Sequence, residues 1–199
     1  MEVILSSGQN GGDARERLLA RLFEAFADDL PSPEVSLREV AGRAGTSHAL
    51  LRYHFGSLSG VLAAMLTVQR ARDNEVLFQT AMQGTFDDLV GAIWRAYTRP
   101  EQLARVRGFF HVVGLAAYNP GEFRGFIDSL DDLTAMLATL AEREGHDTKE
   151  ALSMATVTVA ALRGLLLQKV LNPDDLEDAV SLILCMRKGG CAPAARRGT

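Results

Sequence analysis

The segment Thr46–Phe55, TSHALLRYHF, holds two of the chain's four histidines, with Arg52 and Tyr53 between them. These residue types suit recognition better than bond-making. A guanidinium presents two parallel donors to a guanine edge, so Arg52 can read a base. Tyr53 and His54 can reach phosphate oxygens. Ser47 adds a hydroxyl at a helix start, where free backbone N–H groups favour an anion. A plainer reading is also open: His48 and Arg52 as a solvated face, His54 as a hydrogen-bonded packing residue.

Elsewhere the chain offers little for catalysis. HExxH, GxSxG, P-loop and dinucleotide-binding patterns are all missing. Glu142, Glu144 and His146 cluster where a helix should end, and charges there are usually solvated. Cys185 and Cys191 stand six apart without His or Cys company, which fits neither a metal site nor a disulfide scaffold. No metal and no cofactor is expected, and an all-helical enzyme is the remote rival.

The elements that must position these residues are helical. Nearly every apolar pattern has helical period, and no sustained alternation appears. Ser36 with Glu39 and Asp147 with Glu150 place a cap residue three before a glutamate, as does Asp13 with Glu16. Thr85 before Asp88 and Asn172-Pro173-Asp174-Asp175 give further start signals. The spacing predicts helices over 13–28, 36–44, 47–55, 57–82, 85–98, 101–117, 122–144, 147–171 and 173–187. Residues 189–199, GGCAPAARRGT, lack periodicity and read as a disordered tail.

Leu37, Val40, Ala41 and Ala44 form one stripe, and Gly45 supplies the tight turn that follows. In the next helix Leu51 and Phe55, four apart, face a core. His48, Ala49, Arg52 and Tyr53 then project the other way. Two short helices joined by a glycine turn describe a helix-turn-helix, and Leu18, Leu19, Leu22, Phe23 and Phe26 supply a third wall.

The stretch LREVAGRAGTSHALLRYHFGSLSGVLAAML, 37–66, resembles the DNA-binding signature of TetR-family transcriptional regulators. The matching features are Ala44-Gly45, Ser47, Leu51 and Tyr53-His54-Phe55-Gly56-Ser57, followed by an aliphatic helix. The resemblance implies an all-α fold: a three-helix helix-turn-helix domain, 1–56, and a larger helical ligand-binding and dimerisation domain, 57–188. It implies that Thr46, Ser47, His48, Ala49 and Arg52 lie in the major groove. Ser47, Tyr53 and His54 would bind phosphate. Three positions depart from the family pattern: Arg52 replaces an aromatic, Thr46 a valine, and Leu58 a lysine that contacts phosphate.

The charge balance tempers this. The chain carries 21 basic against 25 acidic residues, a net of −4, and residues 1–60 alone carry a net of −2. Arg15, Arg17, Arg21 and Arg43 are expected to gather on one side. Modest and strongly salt-dependent DNA affinity follows.

Between 85 and 145 the aromatics concentrate. Trp94, Tyr97, Phe109, Phe110, His111, Tyr118, Phe123, Phe126 and Met136 are candidates for an effector pocket, with a helical core as the bland alternative. Nearby Arg95, Arg105, Arg107 and Arg124 suggest a hydrophobic or amphiphilic effector with anionic character.

From Ala151 to Leu162 there is no charge, and apolar residues lie all round the helix. Such a helix must be buried on every side. A second copy of the chain is the economical partner, through Ala155, Val159, Ala160, Gly164 and Leu167, joined by Val180, Ile183 and Leu184 of the next helix. The alternative is the central helix of a monomer.

No uninterrupted apolar run reaches the roughly 18–20 residues of a membrane span, and the N-terminus lacks the pattern of a signal peptide. The expectation is a cytoplasmic homodimer that binds a palindromic DNA operator and is released by a small-molecule effector, a repressor rather than an enzyme. The rival keeps the fold but binds small molecules or proteins, with weak or no DNA binding.

Overall fold

A computed structural model describes the backbone of residues 6–26, 30–172 and 176–187, and side chains within these from 13 to 185. The described residues are helical, without strands. The elements are α1 (Ser6–Phe26), α2 (Leu37–Arg43), α3 (His48–Phe55), α4 (Leu58–Gln83) and α5 (Phe86–Thr98). After a 3-10 turn at Pro100–Gln102 come α6 (Leu103–Tyr118), α7 (Arg124–Asp128), α8 (Asp132–Arg143), α9 (Thr148–Leu171) and α10 (Glu177–Arg187). The chain divides into two compact units. One holds Met1–Asp73 and Ala104–Leu130; the other holds Asn74–Leu103 and Asp131–Thr199.

In the first unit α1, α2 and α3 close around Leu22, Val40 and Leu51, all at most 1% exposed. Val61, Ala64 and Met65, from the first turns of α4, complete that core. A second cluster joins Leu62 and Leu66 of α4 to Val112 and Ala116 of α6 and to Phe123 and Phe126 around α7. Successive residues of α4 thus serve two cores, which explains why Val61–Leu66 is apolar without interruption.

In the second unit α8 and α9 form a hairpin. Gly145, at φ +101°, turns the chain between them, a region that glycine enters without strain. The Asp147 carboxylate caps α9 by accepting from the backbone N–H groups of Lys149 and Glu150. Phe86, Leu89, Val90, Ile93 and Trp94 of α5 are buried here.

Three elements differ from the sequence reading. The helix expected over 122–144 is two helices, α7 and α8, broken at Ser129–Asp131. Ser129 ends α7: its hydroxyl donates to the Phe126 carbonyl at 2.7 Å, and its own carbonyl accepts from Arg70 Nη2 at 2.8 Å. This side chain and long-range partner stop the helix without a glycine or proline. Helix α1 begins at Ser6, so Asp13 and Glu16 lie within it rather than capping it. Helix α10 begins at Glu177. The Asn172–Asp175 cap falls mostly outside the described residues, and the 189–199 tail wholly so.

Cys185 is disulfide-bonded, although the spacing of the two cysteines fitted no disulfide scaffold. Spacing along a chain argues against a framework of several bridges but does not forbid one. Cys191 lies outside the described residues.

Candidate nucleic-acid interface

The interface is built by two caps and two glycines. Ser36 starts α2 with a reciprocal pair: its Oγ accepts from Glu39 N at 3.2 Å, and Glu39 Oε2 accepts from Ser36 N at 2.7 Å. The hydrogen bonds from the Ser36 backbone and hydroxyl hold the Glu39 carboxyl below its ordinary range. A depressed carboxyl contributes stability above its unfolded pKa and loses it as pH falls through the folded one. The difference in melting temperature between the wild type and Glu39→Gln should therefore be largest at neutral pH. It should close as the pH drops through and below the ordinary carboxylate range, and melting curves across that range test this.

Gly45, at φ +60°, turns the chain between α2 and α3, and Thr46 N donates back to the Ala41 carbonyl at 2.9 Å. Ser47 then caps α3, its Oγ accepting from Leu50 N at 3.1 Å. That leaves the Ser47 hydroxyl proton available to an anion. Gly56, at φ +75°, ends α3, and the axes of α3 and α4 meet at 66°. Ser57 caps the start of α4 through Gly60 N at 3.0 Å.

Within α3 the division is clean. Leu51 is fully buried and Phe55 is 8% exposed. Ala49, Arg52 and Tyr53 are exposed, Tyr53 at 83%. Thr46, His48 and His54 are half-buried and Ser47 is exposed. The His54 ring meets the Tyr53 ring edge-on at 5.0 Å. Thr46, Ser47, His48, Ala49, Arg52, Tyr53 and His54 thus lie on α3 and the turn before it, which Leu51 and Phe55 pack to the core.

The surrounding arginines have structural partners. Arg21 donates to the Gly45 carbonyl at 3.1 Å, and Arg43 Nε donates to the Ala25 carbonyl at 2.9 Å. Arg43 also lies over the Phe26 ring at 4.3 Å, and Arg15 over Phe55 at 5.2 Å. The arginines expected to form a cationic patch are in large part fasteners of the helix-turn-helix. Only the planar, five-donor guanidinium combines such roles; nothing in the sequence pattern distinguishes this use from phosphate contact.

The effector candidates do not assemble into one place. Phe123 and Phe126 line a cleft of about 280 Å³ between α1, α4 and the α7 segment, together with Arg15, Ala63, Thr67 and Glu122. Phe109 meets Phe110 edge-on and lies tilted against Phe126, with ring centres 5.2 and 5.8 Å apart, inside the same unit. Tyr118, 93% exposed, and His111, also exposed, point to solvent. Trp94, Tyr97 and Met136 belong to the second unit. Trp94 is buried there, its Nε1 donating to Glu177 Oε1 at 2.7 Å. Sequence reasoning missed the α4 wall of the cleft, because Gly60, Ala63 and Thr67 look like ordinary helix residues. The acidic group near 142–146 has structural work: Glu144 accepts from Phe86 N at 2.7 Å, and His146 pairs with Glu150 at 3.1 Å.

The dimer candidates divide between two faces. Ala155, Val159 and Val180 are buried within their own chain, at 0%, 3% and 6% exposed. These three are corrected from interface to core: within the chain α9 packs against both α8 and α10. Ile183 and Leu184 are half-buried. Ala160, Gly164 and Leu167 lie on the opposite, exposed face, in line with Val157 and Leu171 at spacings of three and four. Helix α9 is long and apolar enough to cross a membrane by length and composition alone, but one of its faces is a core face of the second unit.

No family model and no curated protein matches the sequence. Solved structures do. The chain is similar to a TetR transcriptional regulator from Legionella pneumophila, with a TM-score of 0.63 and 18% identity over 94% of this chain and 99% of that one. It is similar to a transcriptional regulator from Rhodococcus sp. RHA1, at 0.61 and 20% over 88% and 94%. It is similar to reduced NemR from E. coli, at 0.59 and 20% over 91% and 100%. The chain has the all-α fold of TetR-type regulators.

Proposed function

We propose that this protein is a ligand-responsive transcriptional regulator, acting as a repressor that binds a palindromic operator as a homodimer. The observation that carries the reading is α3: Leu51 and Phe55 fix it to the core while Arg52, Tyr53 and Ser47 stay exposed together. A helix held this way, in this fold, suits the major groove. Arg52 would read a base, and Ser47, Tyr53 and His54 would meet phosphates.

The outer face of α9, continued by α10, would join two protomers, so that two copies of α3 face successive turns of one DNA face. A small amphiphile entering the cleft between α1, α4 and α7 would shift α4, which begins two residues after α3 ends. The effector acts only through its different affinity for the two settings, and a coupling of about 1–3 kcal/mol gives roughly 5–150-fold release.

The test is a mobility-shift series on the DNA upstream of the protein's own gene. Arg52→Ala should lose about 1–3 kcal/mol of discrimination per half-site, the worth of a bidentate base contact. Affinity should also fall steeply with salt for both proteins. Unchanged sequence preference in the variant would remove Arg52 from base reading. The second reading, a helical binding module with little DNA affinity, is favoured by one observation: Arg21 and Arg43, though exposed, each spend a donor on a backbone carbonyl of their own domain. Failure of the wild type to bind any upstream duplex at low salt would select it.

A further inference from the structure

A helix as short as α3, about 12 Å for eight residues, lies in a groove about 12 Å wide with both ends near phosphates. The end beyond Phe55 is the start of α4. Its positively polarised N-terminus would approach a phosphate, with Leu58 bringing no charge of its own. A carboxylate already stands there. Glu122, in the turn between α6 and α7, accepts from the Ser57 hydroxyl through Oε1 at 3.3 Å. Its Oε2 accepts from Asn119 Nδ2 at 2.9 Å, and Glu122 N donates to the Asn119 carbonyl at 3.2 Å. One carboxylate oxygen therefore faces the Ser57 hydroxyl at the α4 start, and the other is held by Asn119 in its own turn. Arg15 lines the same cleft, but among the described residues no ion pair joins it to Glu122.

We propose that Glu122 is an internal substitute for phosphate: it sits against the α4 N-terminus in the free protein and opposes DNA binding there, setting the affinity low until it is displaced. This rests on the DNA-binding reading above. The restraint acts on the backbone rather than on bases, so it lowers affinity for every sequence alike. It is a positioning and electrostatic role, without contact to bases.

Glu122→Gln removes the charge and keeps an oxygen toward Ser57, but its amide nitrogen would face the Asn119 Nδ2 donor, so Asn119→Ala is the control for that lost bond. Binding of wild type, Glu122→Gln, Glu122→Lys and Asn119→Ala to the upstream operator and to a scrambled duplex is measured across salt, alongside melting curves. Glu122→Gln is expected to melt as Asn119→Ala does, since both lose the same side-chain hydrogen bond. Its affinity for both duplexes should rise roughly fivefold at low salt, the worth of a surface charge in each of two protomers. Glu122→Lys should gain more, and the gains should shrink as salt screens them. A wild type that binds while Glu122→Gln binds no tighter overturns the proposal and leaves the DNA-binding reading standing. If no protein of the series binds either duplex, the DNA-binding reading falls and takes the proposal with it.

Discussion

Gly164→Arg should turn the proposed dimer into monomers and weaken the proposed operator binding by about a hundredfold or more, because two half-sites are then no longer held by one molecule. Within one chain the substitution is harmless: a Cβ at Gly164 meets nothing within 4 Å. Any large effect must therefore come from a second molecule lying over this face. The stripe is apolar and uncovered in the single protomer, with Val157 67%, Leu167 39% and Leu171 76% exposed. Ala160 and Gly164 between them are small enough for two helices to approach closely. An arginine in that seam would have its charge desolvated with no partner. Sedimentation equilibrium of wild type and variant gives the oligomeric state, and mobility shifts give the affinity. A variant that stays dimeric and binds normally would move the interface off this face.

The second large effect belongs to Gly60, in the first turn of α4. A Cβ there would collide with the carbonyl oxygen of Phe55 and come within 3.0 Å of its carbonyl carbon. Those are backbone atoms, which cannot rotate aside as a side chain would. Gly60→Ala must therefore pry α4 from the end of α3. Overpacking of this kind should destabilise by about 2–3 kcal/mol and lower Tm by roughly 5–10 °C. DNA binding should fall further than stability, since the orientation of α3 depends on this contact. Gly42→Ala is the contrast. Its Cβ enters open space on helix α2, and removing a helical glycine should stabilise by up to about 1 kcal/mol. Thermal melts of both variants decide the matter; equal stabilities would show that the α3–α4 junction yields easily.

The helix-turn-helix was readable from the sequence because its signals are local. Gly45 and Gly56 mark the two positive-φ turns, and Leu51 and Phe55 at a spacing of four give the inward face of α3. Ser36 and Ser47 announce the helix starts they cap. What escaped depends on distant partners. Ser129 three before Asp132 is only a weak local hint of a break, because what fastens the break is Arg70, 59 positions earlier. Helix α9 is apolar all round, so its sequence has no phase. Only packing against α8 and α10 separates Ala155 and Val159, which belong to the chain's own core, from Ala160 and Gly164, which do not. Arg21 and Arg43 are expected only to gather on one side, and their carbonyl partners cannot be read from the sequence. The effector candidates were chosen by type, and type does not say whether an aromatic fills a core, as Trp94 does, or faces water, as Tyr118 does.

The division of labour inside α3 bears on how such a protein changes its target. Two residues, Leu51 and Phe55, carry the packing, while Ala49, Arg52 and Tyr53 lie outside it. Exposed positions remote from caps and cores usually shift stability by no more than about 0.5 kcal/mol when exchanged. On the proposed DNA-binding reading, base preference at Ala49 and Arg52 is therefore free to drift, or to be redesigned by a library that varies them together, while the scaffold beneath stays folded. Duplicated copies of such a gene could diverge toward new operators by surface changes alone.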